Sequence, residues 1–245
     1  RAGQAPWSGA CRKGSRRRPL TTLILGAHRP LGLACVREVL SRGELVVAGV
    51  QAPHRIPLAL QDLGEEYPTQ LTSLAWQPSV WPTVTGIERA VIAELPIPPA
   101  QSDEADDAAA DLRAIRVDRL LEASREVLAP TLAAIQFITQ VQPKRVLIQA
   151  SWMGVVEEKI RGGDHALGVA YASQLMLVRA AANDLQRAGI ATVVVNAGRY
   201  KLDMAGPAFH ADVEDVARGL LAVLDACRLD GEPEFRDWRG GVRRW

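Results

Sequence analysis

The chain has 245 residues, 48% of them hydrophobic and 23% charged, which is enough to bury a full core in one α/β domain, and no linker announces a second. A formal net charge of +1 gives no global attraction to nucleic acid or membranes, and no window approaches the run of about 20 apolar residues that a membrane span needs. Cys11, Cys35 and Cys227 lack Cys-x-x-Cys spacing, so neither a metal site nor a disulfide framework organises the chain, and it reads as a soluble protein.

Overall neutrality hides an asymmetry. Residues 1–37 contain no Asp or Glu, and Arg1, Arg12, Lys13, Arg16, Arg17 and Arg18 precede the first apolar run. An acid-free segment with Arg and Ser resembles a mitochondrial or chloroplast targeting segment; a basic arm or a solvated extension are the alternatives. Residues 1–20 are therefore expected to be a basic N-terminal extension, and 21–245 a single domain.

Thr21 to Leu25 is a short apolar run ending in Gly26, a buried strand. Leu31 to Ser41 has helical spacing and stops at Arg42-Gly43, and Leu45 to Val50 is a second strand. The stretch 57–82 is weaker, with Leu71–Trp76 its best strand, and Ala90–Ala93 is a fourth. An Ala-, Asp- and Glu-rich stretch at 99–110 leads into a long helix from about Asp111 to Val141. Lys144–Ala150 is a fifth strand, His165–Ala188 a helix closed by Gly189, Ile190–Asn196 a sixth strand and Val213–Cys227 a last helix. Continuous apolar strands, each followed by a helix, predict a doubly wound, Rossmann-like α/β fold: about seven strands in a parallel sheet with helices on both faces.

Between the first strand and its helix lies Leu25-Gly26-Ala27-His28-Arg29-Pro30-Leu31-Gly32, the context in which a glycine-rich turn binds a dinucleotide pyrophosphate on a helix N-terminus. It resembles the Thr-Gly-x-x-x-Gly-x-Gly pattern of the short-chain dehydrogenase/reductase family. Gly26 and Gly32 match the first and third glycines, while Pro30 replaces the second and Leu25 the threonine. Pro30 has no N–H to offer a phosphate, yet it suits the first position of a helix. The turn is thus either a working cradle or a Rossmann turn kept for packing, and impaired or absent cofactor binding is expected. If a cofactor binds, NADP is preferred. Arg29 stands where NADP-preferring relatives put a basic residue, and the second strand ends in Gln51, His54 and Arg55 without an acid. The cofactor-binding candidates are Gly26, His28, Arg29, Gly32, Gln51 and Gln174.

The resemblance runs from about Leu23 to Gly241. Leu147-Ile148-Gln149-Ala150-Ser151-Trp152-Met153-Gly154 is similar to the family strand that ends in a catalytic serine, which places that serine at Ser151; alternatively its hydroxyl caps the following turn. The family's Tyr-x-x-x-Lys would fall on Ala170-Tyr171-Ala172-Ser173-Gln174, with Ala170 at the tyrosine and Gln174 at the lysine. A register shifted to Tyr171 puts Leu175 at the lysine instead. Neither register yields the pair. A phenol with its ordinary pKa near 10 needs a nearby cation to work as an acid or base near neutrality. Gln174 supplies no charge, and Tyr171 points about 100° around the helix from Ala170.

Further departures run the same way. Ala90 to Leu95 replaces the family's Asn-Asn-Ala-Gly, and Arg116, read as part of the long helix, replaces a proton-relay asparagine. Asn196-Ala197-Gly198 with Leu202-Asp203-Met204 resembles Pro-Gly-x-x-x-Thr-x-Met, and Asp237-Trp238-Arg239-Gly240-Gly241 the end of the last strand. Tyr200 and Lys201 are adjacent near the substrate-facing end of the sixth strand, while His165 and His210 have no partners at metal or triad spacing. The tail from Phe235 to Trp245 interleaves aromatics with arginines, a mixture found at protein interfaces and on RNA-binding surfaces, or a strand packed on its own domain. The sequence points to a catalytically degenerate family member acting as a structural or regulatory accessory subunit, with an organellar assembly, homo-oligomer or larger complex as its setting. The alternative is an NADPH-dependent oxidoreductase with a rearranged site using Ser151 and Tyr171.

Overall fold

The computed structural model describes residues 20–51, 54–78, 80–95, 113, 115–159, 162–163, 165–198, 200–201 and 211–245. The basic segment 1–19, the Ala- and acid-rich stretch 99–110, Leu202-Asp203-Met204 and His210 lie outside the described residues.

Ten strands are found among the described residues: β1 (Thr21–Leu25), β2 (Leu45–Gln51), β3 (Leu71–Trp76), β4 (Arg89–Ile92), β5 (Arg145–Ala150), β6 (Ala191–Asn196), β7 (Tyr200–Lys201), β8 (Ala211–Asp212), β9 (Glu234–Asp237) and β10 (Val242–Arg243). Eight of them form one sheet in the order β3-β2-β1-β4-β5-β6-β9-β10, parallel except for the antiparallel edge strand β10, and β7 pairs with β8. The helices are α1 (Pro30–Ser41), α2 (Leu58–Glu66), α3 (Val117–Val141), α4 (His165–Arg187) and α5 (Val213–Ala226).

Strand side chains alternate between faces. Ile24, Ala48, Leu147 and Val193 face α1 and α5, where Cys35, Val39, Leu220 and Leu224 are buried. Leu23, Leu25, Ile148 and Val194 face α3 and α4, meeting Phe137, Ile138, Leu175 and Val178. Both faces are covered, which is why the strands read as unbroken apolar runs.

Two expectations are corrected. Helix α2 occupies part of the weak stretch, where no helix was predicted, and Leu60 is its one buried residue. Helix α3 begins at Val117 rather than near Asp111, because Arg116 is an extended N-cap (φ −112°, ψ 132°). Its guanidinium pairs with Asp118 at 2.8 Å in solvent, so Arg116 is not a helix-borne member of a proton relay.

At the amino ends of the strands, Arg89 on β4 is only 2% exposed. It donates to the Thr22 hydroxyl at 2.9 and 3.2 Å and pairs with the carboxylates of Glu44 and Asp225, joining β1, β2, β4 and α5. At the far edge Phe235 is buried and stacks on Trp245, which lies under the Arg179 guanidinium of α4. Arg243 holds Glu158 through a forked pair at 2.5 and 2.6 Å, and Arg244 holds Glu157 at 2.8 Å. The aromatic–basic tail therefore packs on its own fold. No helix among the described residues is long and apolar enough to cross a membrane.

Candidate functional site

From β1 the chain builds outward through β2 and β3, then returns to place β4 on the other side of β1. Ligands of such sheets bind outside the carboxyl ends of the strands at that reversal. The residues gathered there are those of the β1–α1 turn, the loop after β2, the end of β4, the β5–α4 region and Tyr200.

Gly26 has φ +89°, and its N–H and that of Ala27 both donate to the Gly49 carbonyl at 3.1 Å. A Cβ on Gly26 would stand 2.4 Å from the Ala93 carbonyl oxygen, and one on Gly32 would stand 2.1 Å from that of Gly26. Both glycines are demanded by the approach of backbone to backbone. Pro30 begins α1 after the extended Arg29, and the first i→i−4 bond runs from Leu33 N–H to Arg29 at 2.9 Å. The first-turn amides of Leu31 and Gly32 precede that bond, so no helical carbonyl is available to them, as at any helix N-terminus able to hold an anion.

His28 stacks on His54 with ring centroids 4.4 Å apart and planes 18° from parallel. Neither His28 ring nitrogen, nor Arg29 Nε, has a hydrogen-bond partner among the described residues, and all three are buried. Burial first, then Arg29 and His54, lowers the His28 pKa to about 4, so the imidazole is neutral near pH 7. Gln51 is half-buried, and its carbonyl accepts the His54 N–H at 3.1 Å. Of the side chains expected around a 2′-phosphate, Arg29 and His54 are thus brought together at one rim, with His28 between them.

The end of β4 adds a residue that sequence reasoning missed. Ala93 donates to Leu25 at 2.8 Å, carrying Glu94 against the Gly26 turn. Glu94 is 1% exposed and its Oε1 has no partner among the described residues. Burial pushes its pKa up to about 7, with Arg29 pulling the other way. The available signal was an acid directly after an apolar strand at the sheet's reversal.

At the end of β5, Ser151 Oγ accepts the Met153 N–H at 3.2 Å and caps the 3₁₀ turn Trp152–Gly154. Gly154 packs on the backbone of Tyr171, since a Cβ there would lie 2.3 Å from the Tyr171 carbonyl oxygen. Tyr171 is 1% exposed and packs with Ala170 and Val127 between α3 and α4. Burial, then Tyr200, raises its pKa to about 12. Gln174 is fully buried, and its amide nitrogen donates to the Gln149 carbonyl at 2.9 Å. Tyr200 packs against the α1 face and is hydrogen-bonded to the Gln149 side chain; burial raises its pKa as well. Ala170, at the tyrosine position, is buried too.

The arrangement offers an unbonded helix N-terminus beside a rim of basic and imidazole side chains. Helix α4 carries no lysine, and burial drives the Tyr171 phenol up to about 12, so it is neutral near pH 7. Among the described residues no cluster of three His, Cys, Asp or Glu is placed to hold a metal. A separate cavity of about 590 Å³ lies between α5, β6 and the β9–β10 turn. There Arg236 donates to the Glu234 carboxylate and to the Gly240 carbonyl.

No family model matches the chain. C-signal of Myxococcus xanthus is 30% identical over 115 residues, 47% of this chain and 69% of that protein. Among solved structures, a Burkholderia multivorans short-chain dehydrogenase/reductase with bound NADP superposes with a TM-score of 0.76 at 22% identity, covering 94% of this chain and all of that one. The NADPH-bound carbonyl reductase from chicken fatty liver gives 0.72 at 18% identity, again over 94% of this chain and all of that one. These structures establish the fold, and C-signal, itself a family member, extends the kinship to sequence. On the strength of that fold, the Gly26–Gly32 turn and this relative, the chain belongs to the short-chain dehydrogenase/reductase family.

Proposed function

We propose that the chain is a regulatory or accessory subunit that keeps an NADP(H) crevice and has given up its family's reduction chemistry. One observation carries this reading: Gln174, at the lysine position, is buried and turned to the Gln149 carbonyl, while Tyr171 is packed between helices. An NADP preference is supported by the basic rim of His28, Arg29 and His54, and by the NADP and NADPH bound in the structural neighbours. A role in an assembly is supported by Leu121 and Leu132 on α3 and Val169 and Met176 on α4, apolar side chains exposed on two helices packed together. The acid-free, Arg-rich residues 1–18 favour an organelle, with the mitochondrion first.

The competing reading, an NADPH-dependent oxidoreductase with Ser151 and Tyr171 at a rearranged centre, draws on the closeness of Tyr171 to Tyr200. Titration with NADPH followed by fluorescence, then a panel of carbonyl substrates, separates the two. Binding without oxidation of NADPH is expected. Turnover of any carbonyl that is lost in Tyr171→Phe would overturn the proposal.

A further inference from the structure

The candidate site contains one buried acid that neither packing nor pairing explains. Glu94 lies against the turn where a pyrophosphate would meet the α1 N-terminus: its backbone nitrogen is 3.0 Å from the Cβ position of Gly26. The side chain is 1% exposed with Oε1 unbonded. On the opposite side of the same turn Pro30 has removed an N–H that a glycine would offer. We propose that Glu94 is a phosphate-binding residue that works in its neutral form, donating its carboxyl O–H to the ligand's diphosphate, so that nucleotide binding at this crevice is coupled to proton uptake. The inference rests on the reading that the crevice takes a nucleotide.

The electrostatics fix the direction. A diphosphate brings negative charge beside a buried carboxyl, and like charges favour the protonated acid. Among the described residues, one charged group acts on Glu94. Arg29 on the turn acts on it directly, and burial outweighs that attraction. His28, stacked on His54, stays neutral near pH 7 and supplies no compensating cation. With the free acid titrating near 7, the ligand meets an already protonated partner at pH 6 and must draw a proton from solvent at pH 8. Affinity then falls about tenfold over that interval.

The test is calorimetric titration with NADP⁺ at pH 6 and pH 8, in two buffers of different ionisation enthalpy, on the wild type and Glu94→Gln. The expected result is proton uptake and about a tenfold loss of affinity at pH 8 in the wild type. Glu94→Gln keeps a neutral donor, so it should bind at pH 8 as the wild type does at pH 6, without proton uptake at position 94. Equal pH dependence in the two proteins overturns the inference while leaving the nucleotide reading intact. Absence of binding in both at millimolar NADP⁺ and pH 6 overturns the nucleotide reading, and the inference with it. A carboxyl ¹³C titration of Glu94 in the wild type is independent of the variant's folding, and an ordinary carboxylate midpoint there also refutes the inference.

Discussion

Replacing Arg89 by Met should be the most costly single change at the amino ends of the strands. The guanidinium is 2% exposed and serves three partners at once. Its removal strands the Thr22 hydroxyl, which is fully buried, and leaves Glu44, whose side chain is 19% exposed, without its cation. Asp225 suffers less, being 41% exposed and retaining Arg42 at 3.3 Å. Breaking a fully buried ion pair costs about 3–5 kcal/mol, and the residual hydration of both carboxylates places this case near the lower end, about 3 kcal/mol. For a chain of this size that is a fall of about 6–12 °C in the unfolding midpoint. Arg89→Lys should recover only about half, because one ammonium cannot reproduce a fork shared among Thr22, Glu44 and Asp225. Urea unfolding by circular dichroism should show a lower midpoint with an unchanged slope, and a double-mutant cycle with Asp225→Asn a coupling of about 1 kcal/mol. An Arg89→Met protein within about 0.5 kcal/mol of wild type would refute the reasoning.

Gly32→Ala forces a Cβ to within 2.1 Å of the Gly26 carbonyl oxygen, and denaturant unfolding should show a loss of about 2 kcal/mol or more. Putting back the family pair should fail: Gln174→Lys buries an ammonium and Ala170→Tyr overpacks a buried alanine. Each should cost about 2 kcal/mol, and NADPH oxidation assays should find no turnover in either variant or in both combined. Stability should also carry the mark of Glu94. Its folded pKa of about 7 exceeds the ordinary 4.5, so the folded state holds the extra proton between those values. About 3 kcal/mol of stability is therefore lost as pH rises from 4.5 to 7, and Glu94→Gln should flatten that slope in unfolding measured across the range. His28 acts in the reverse sense, because its folded pKa is depressed from 6.5 to about 4. The stability it contributes is present above 6.5 and lost as pH falls toward 4; His28→Phe should remove that acid-side loss.

The strands were legible because their sequence pattern and their burial are the same fact: Leu23-Ile24-Leu25 and Val146-Leu147-Ile148 are apolar throughout because helices cover both faces. Helix α2 was not, since a helix that buries only Leu60 writes almost no periodic stripe. The departures at Ala170 and Gln174 could be read from the family resemblance, but their consequence could not. A glutamine at a lysine position could equally have reached a ligand; its bond to the Gln149 carbonyl is a product of how α4 lies on β5. Glu94 and the His28–His54 stack were hidden for a related reason. Each depends on segments distant in sequence meeting at the sheet's reversal, β4 against the first turn and the loop after β2 against His28.

Gly26 and Gly32 show why a surviving motif is weak testimony for a surviving ligand. Each is enforced by a carbonyl oxygen of this chain, at 2.4 and 2.1 Å from the Cβ position, whether or not a phosphate ever arrives. Selection for the fold alone would keep them. Groups that the fold does not need are better witnesses, because a buried polar atom without a partner costs about 1–3 kcal/mol in the empty protein. Among the described residues, both His28 ring nitrogens, Arg29 Nε and Glu94 Oε1 lack partners around this one turn, while Trp76 Nε1, His165 Nε2 and Arg243 Nε are single such atoms elsewhere. Gln174 Oε1 is also without a partner among the described residues, but its amide nitrogen is tied into the β5–α4 packing. Cost tolerated on the phosphate side, and a filled helix face on the catalytic side, is the pattern the proposed role, binding without reaction, would leave. Apolar replacement at His28 and Glu94 relieves that cost, and only a ligand gives a reason to retain the polar groups. His28→Phe and Glu94→Leu should therefore gain stability at pH 7 while abolishing NADP⁺ binding, and a gain in stability with no binding to lose in the wild type would assign the crevice to packing alone.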